Sequence, residues 1–190
     1  MGMRKKRRRQ RRAYRQGDLD GLCGVYSVVN AVRALCPEIG RDAAAWLFAE
    51  LMQSLREAGA NPSRAISGGI GRSTLMALLR EAASCIENEY EVALKVLRLP
   101  QPLRKTKKLD ELWVALAEMI SPTTVAILGL GGNQSHWTVA VKVSDKQITL
   151  FDSSRMGALR RSHCTLRSGS AIRTAIPPMH VIVVSRMRGE

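Results

Sequence analysis

Gln16-Gly-Asp-Leu-Asp-Gly-Leu-Cys23-Gly-Val-Tyr-Ser-Val-Val-Asn-Ala31 is the stretch that decides how the rest of the chain is read. A Gly-rich turn opens an apolar segment in which Val25, Val28, Val29 and Val32 follow helical spacing. Pro37 stops that pattern, so a helix is predicted over Leu22 to Leu35. Cys23 then stands at a helix start, where unpaired N–H groups and the positive end of the helix favour a thiolate. Gly21 and Gly24 permit a sharp entry and close approach of a substrate backbone. Asp20 is read as a cap for this helix. Gln16, seven positions upstream of Cys23, is placed to set its side-chain amide beside the Cys23 backbone N–H, a pair of donors for an oxyanion.

Two further residues extend the constellation. His136 begins the apolar segment His136-Trp-Thr-Val-Ala-Val-Lys-Val143, and Asp152 closes the next one, which ends Phe151-Asp152-Ser-Ser. Ser144-Asp-Lys146 between them is a short turn, so the two segments are expected to pair as a hairpin. That pairing brings Asp152 beside His136, where it is expected to accept the Nδ1 proton and hold the tautomer. A thiol nucleophile, an imidazole base, a carboxylate that orients it and an amide for the oxyanion are the parts a thiol hydrolase needs.

Along the chain, Asp42 to Ala58 reads as a second helix, with Asp42 as N-cap and Gly59 as C-cap. Ser67 to Arg72 is a Gly-rich loop, after which Ser73 caps a third helix through about Ala83. A strand over Val92 to Leu97, a basic Pro-containing loop and a helix around Leu109 to Met119 follow. The second half turns to short β-rich runs over Thr123–Leu128, Trp137–Val143, Ile148–Phe151 and Val181–Ser185. Gly129 to Ser135 is read as a mobile loop, and Ser153 to Pro178 has no clear pattern. Helices followed by strands predict an α+β domain.

The order Gln16, Cys23, His136, Asp152, with a Cys-Gly helix start and a His-Trp strand, resembles the papain-like cysteine peptidase superfamily. It is most similar to compact bacterial branches such as the double-glycine leader peptidases, and more distantly to Josephin-type deubiquitinases. The resemblance covers Gln16 to Asp152 and implies an N-terminal helical lobe carrying the Cys, packed on a C-terminal antiparallel sheet carrying His and Asp. It implies cleavage of a peptide or isopeptide bond through an acyl-enzyme, with a protein or peptide as substrate. The longer nucleophile signature of the papain enzymes proper is missing, and Gly24-Val25-Tyr26 is not the usual leader-peptidase sequence. The same groups also suit a protein glutamine deamidase or a transglutaminase-like effector.

Composition frames these readings. A chain of 190 residues with 45% apolar content is large enough to bury one core. The formal net charge is +14, and residues 4–15 carry a dense run of Arg and Lys without an acid. Residues 1–15 are therefore read as a disordered basic tail, and 16–190 as the folded domain. Such a tail suits an acidic partner or nucleic acid, and a basic nucleic-acid-binding module without catalysis is the reading from another class. Asp18 and Asp20 separate the basic run from the apolar one, which argues against a signal peptide, and no segment is long and apolar enough to span a bilayer. Cys23, Cys36, Cys85 and Cys164 lack metal-type spacing and are expected to be reduced, in keeping with a cytoplasmic protein. Neither a metal nor a cofactor is expected: the three histidines are dispersed, and Gly68-Gly-Ile-Gly71 lacks a phosphate-loop Lys. His163 and His180 are weaker candidates for the base than His136. Arg155, Arg160, Arg161, Arg167, Arg173, Arg186 and Arg188 form a second basic run, which would favour an acidic substrate if it borders the site.

Overall fold

Helices dominate the first half of the described chain and strands the second. The computed structural model describes residues 22–58, 65, 69–132, 135–154, 156–167, 169 and 173–187. The basic start, Gln16 and Asp20 lie outside them. Helix α1 (Cys23–Leu35) is followed by α2 (Arg41–Glu57) and α3 (Arg72–Tyr90), then strand β1 (Leu94–Arg98). A four-residue helix α4 (Gln101–Arg104) and helix α5 (Leu109–Met119) precede β2 (Thr124–Gly132), β3 (His136–Val143) and β4 (Gln147–Phe151). Short strands β5 (Ala158–Arg160), β6 (Cys164–Thr165) and β7 (Thr174–Ala175) lead to β8 (Val181–Arg186). The class is α+β, as the order of patterns predicts.

Several boundaries differ from the sequence reading for physical reasons. Gly40, not Asp42, holds the N-cap of α2, and Asp42 sits in the first turn, where its charge suits the helix N-terminus. Gly71, not Ser73, caps α3. That helix runs past Ala83 to Tyr90 because Ile86 is fully buried, and it ends at Glu91 in the left-handed region, φ 54°. Gly129 to Gly132 is strand, not loop. The end of β2 is held by β7, with Gly131 opposite Ala175 and Gly132 opposite Thr174, and this pairing overrides the local glycine signal.

The main sheet runs β1-β8-β2-β3-β4-β5 with every neighbouring pair antiparallel; β7 joins the end of β2, and β6 pairs with β7 in parallel. Alternation sends Val125, Ile127, Trp137, Val139, Ile182 and Val184 to one face, against α1, α2 and α3. Ala126, Leu128, Ala140, Leu150, Val181 and Val183 go to the other face, where Leu112, Trp113 and Leu116 of α5 cover them. The helical lobe therefore packs on the sheet as expected, and α5 adds a third layer. Trp113 ties that layer down by donating Nε1–H to the Ser144 carbonyl at 2.7 Å.

Helix α1 is buried on nearly all sides, between α2 and α3 and the sheet. Val25, Val28 and Ala31 are completely inaccessible. Each such Val contributes roughly 1.5–3 kcal/mol relative to exposure, so the N-terminus of α1 is held firmly against β3.

Candidate active site

Cys23 is the first residue of α1, and its N–H and the next ones have no partner within the helix. His136 is the first residue of β3, and Asp152 directly follows β4. The expected hairpin forms: β3 and β4 are antiparallel, with Val139 opposite Phe151 and Val143 opposite Ile148. Continued one step, this register sets Asp152 opposite Thr138, with His136 two residues further along β3 on the diagonal. A bulge between Ala140 and Lys142 flips the alternation, so Val141 and Val143 pack into opposite layers. The bulge lies beyond the His136 end and leaves the site's register intact.

His136 Nε2 lies 2.7 Å from Asp152 Oδ1. This corrects the expected atom: Nε2, not Nδ1, faces the carboxylate, and Nδ1 is left for the Cys23 thiol, to which the imidazole is also hydrogen-bonded. The His136 side chain is 9% exposed and that of Asp152 1%. The other carboxylate oxygen, Oδ2, accepts the Ser154 N–H at 2.7 Å, the Ser154 hydroxyl at 2.8 Å and the Met156 N–H at 3.2 Å.

The electrostatics follow from these contacts. Burial works against ionising Cys23. The hydrogen bond from His136, the Trp137 N–H, the His136 charge and the Gly24 N–H outweigh it, so the thiol's pKa falls below its ordinary value. Burial likewise disfavours imidazolium. The hydrogen bonds to Asp152 and Cys23, together with their charges, overcome it and raise His136 to about 9. For Asp152, burial is opposed chiefly by the His136 hydrogen bond, with help from the buried Thr138 hydroxyl and Ser154, and its carboxyl lies well below the usual range. Both shifts favour the thiolate–imidazolium form of the pair.

The other thiols differ. Burial pushes Cys36 up to about 11 in spite of the nearby Arg186 charge, and burial alone takes Cys164 to about 11. Burial and the Glu81 and Glu50 carboxylates raise Cys85. All four cysteines are free.

Trp137 is a packing residue of the sheet. Its indole is buried in the helical layer, and Nε1–H donates to the Ile70 carbonyl at 2.9 Å. Ile70 in turn lies against Gly24, where a Cβ would overlap its side chain. His180 is exposed, and its ring sits 6.0 Å from that of Trp137. His163 is exposed in a short 3-10 turn.

Sequence reasoning overlooked Ile70, Thr138 and Ser154. A strand ending in Asp-Ser-Ser is a side-chain-to-backbone turn signature that points to Ser154. No comparable signal marks Ile70.

Three arginines of the second basic run gather in a cavity of their own. Arg160, Arg161 and Arg173 line a cavity of about 720 Å³ with Lys146, Asp110 and Asp145, and Cys23, His136 and Asp152 take no part in it. Arg161 pairs there with Asp110 at 2.6 Å and lies over the Trp113 ring. Arg155 and Arg188 lie outside the described residues. Among the described residues, no group of His, Cys, Asp and Glu is arranged to hold a metal ion, and no helix is long and apolar enough to cross a membrane.

No protein-family model and no curated protein matches the chain. A solved structure is similar: a double glycine motif protease from AMS/PCAT transporter, in complex with the leader peptide. The likeness covers 87% of this chain and 85% of that chain at 13% identity, with a TM-score of 0.39. A likeness this slight does not bear on chemistry, which has to be read from the chain's own residues.

Proposed function

We propose that this chain is a papain-like thiol hydrolase, a cysteine peptidase or isopeptidase that cleaves an amide bond through a thioester acyl-enzyme. The observation that carries the reading is the contrast among four free thiols. Cys23 alone has a lowered pKa, and it is the one hydrogen-bonded to an imidazole that is itself held by a buried carboxylate. Structural cysteines are inert because burial raises them; a thiolate at a helix start beside imidazolium is a nucleophile.

In this reading the Cys23 thiolate attacks the carbonyl carbon of a peptide or protein substrate. The oxygen takes up the negative charge and is met by the Cys23 backbone N–H and, from the sequence reading, the Gln16 side-chain amide. The tetrahedral intermediate collapses as the C–N bond breaks, and His136 gives its Nδ1 proton to the leaving amine. Water then adds to the thioester with His136 as base, and the acid product leaves as the thiolate reforms. Asp152 stays ionised throughout and holds the ring through Nε2. Four free thiols suit a reducing, cytoplasmic setting.

The test is exposure of a mixed peptide pool to the full chain, with mass spectrometry of the products. New amino termini that vanish in Cys23→Ala and His136→Ala support the proposal. Ammonia release without new termini assigns the same site to glutamine deamidation, and products from Cys23→Ala refute a thiol mechanism.

A further inference from the structure

The two oxygens of Asp152 are treated differently. Oδ1 meets His136 Nε2 at 2.7 Å, while Oδ2 takes its donors from the turn that follows β4. Two of those donors, the N–H groups of Ser154 and Met156, are backbone, and any non-proline sequence in this turn conformation supplies them. The third, the Ser154 hydroxyl, belongs to one side chain. Together with the two N–H groups it holds Oδ2 in the turn, and Oδ1 faces the ring. The same hydroxyl lies 3.4 Å from His136 Nε2, on the edge of the ion pair. Ser154 is exposed while the side chains of its two partners are not, so it also stands between them and solvent.

We infer that Ser154 is a positioning residue, whose hydroxyl orients the Asp152 carboxylate and screens the His136–Asp152 contact from water. The inference rests on the proposed roles of Cys23 and His136, but its physical content is the state of the imidazole, which can be read without a substrate. Asp152 is ionised whether or not the ring is, so the hydroxyl acts through geometry: it helps keep Oδ2 in the turn and Oδ1 on the ring, where the anion holds the imidazolium. Among the described residues, the charged groups facing the ring are Cys23 from the start of α1 and Asp152 from the end of β4. Adjacent Ser153 provides the internal control, because its buried hydroxyl makes no hydrogen bond among the described residues.

The experiment is an NMR titration of the His136 ring in the full chain and in Ser154→Ala, Ser154→Thr and Ser153→Ala. Ser154→Ala is expected to lower the imidazolium midpoint measurably, because a carboxylate free to rotate and open to water holds the imidazolium less. Ser154→Thr, which keeps the hydroxyl, should restore it, and Ser153→Ala should leave it in place. An unchanged midpoint in Ser154→Ala, or an equal fall in Ser153→Ala, overturns the inference. A shifted midpoint in a chain that turns over no amide upholds the positioning role and removes the hydrolase reading. Turnover with an unshifted midpoint does the reverse.

Discussion

Replacing Asp152 with asparagine removes one charge and keeps the outline of the side chain, so it isolates what the carboxylate does for the pair next to it. His136 stands at about 9 against an ordinary 6.5, with burial pulling it down and the Asp152 hydrogen bond as the largest contribution pulling it up. Loss of the anion should lower the ring by about two units, near 3 kcal/mol at about 1.4 kcal/mol per unit. The sign follows through to the thiol. At about pH 7.5 the native ring is imidazolium, which favours the Cys23 thiolate; in the variant the ring is mostly neutral. The thiol then keeps its burial penalty without its cation and returns to its ordinary value of 9.0 or above. A thiol of that acidity is only about 3% ionised at about pH 7.5, so the thiolate population should fall.

The assay is ultraviolet thiolate absorbance against pH, taken as the difference from Cys23→Ala so that the other cysteines cancel. Thermal unfolding of the same samples checks that the fold is intact. Asp152→Asn is expected to show little thiolate at neutral pH and a rise only on the alkaline side. A folded variant that keeps full thiolate absorbance at neutral pH would falsify the chain of reasoning from carboxylate to imidazole to sulfur.

Three further outcomes are expected. Iodoacetamide near neutral pH should label Cys23 ahead of Cys36, Cys85 and Cys164, and mass spectrometry should find that preference lost in His136→Ala; equal labelling of all four thiols counts against the site. Amide turnover should decline as pH rises through about 9, because His136 loses the proton the leaving amine needs, whereas alkylation of Cys23 should persist there as the thiolate remains; parallel decline of both rates would contradict this. Gly129→Ala should destabilise the fold by about 1–3 kcal/mol, seen as a lower Tm, because overpacking at a rigid contact costs that much. The new Cβ would lie 2.6 Å from Trp137 Cζ3 and 2.9 Å from His180 Cβ, and the indole is pinned by its bond to Ile70; an unchanged Tm would show that the ring can move aside.

What the sequence made legible is whatever is set by neighbours in the chain. The Cys23 helix start follows from a glycine turn before an apolar run, and the β3–β4 hairpin follows from two β-rich runs around Ser144–Lys146. What it hid depends on partners far along the chain. Gly129 to Gly132 reads as loop by local propensity, and becomes strand because β3 pairs with Gly129 and Leu130 while β7, some forty residues later, pairs with Gly131 and Gly132. The period of α5 announces an apolar face without saying which side of the sheet receives it. The choice of Nε2 over Nδ1 toward Asp152 turns on a diagonal register and a side-chain rotation, and neither is encoded in spacing. Ile70 approaches Gly24 from the Gly-rich loop, a segment with no periodicity to point anywhere. Gln16 remains a sequence expectation, outside the described residues.

The site costs the fold something, and the way that cost is met explains its layout. A thiolate and an imidazolium taken out of water lose solvation, and burial opposes the charged form of both groups. The offset comes from fixed donors and acceptors: the Gly24 N–H at the start of α1, the Trp137 N–H in β3, and the buried Asp152 carboxylate with its own donors. Strand β3 thus supplies two things to the sulfur, the imidazole of His136 and the N–H of the next residue. The spacing of β3 against α1 therefore sets both the acidity of the thiol and the reach of its base. The packing of α1 against β3 belongs to the chemistry as much as to the core, because a shift of either element changes both quantities at once.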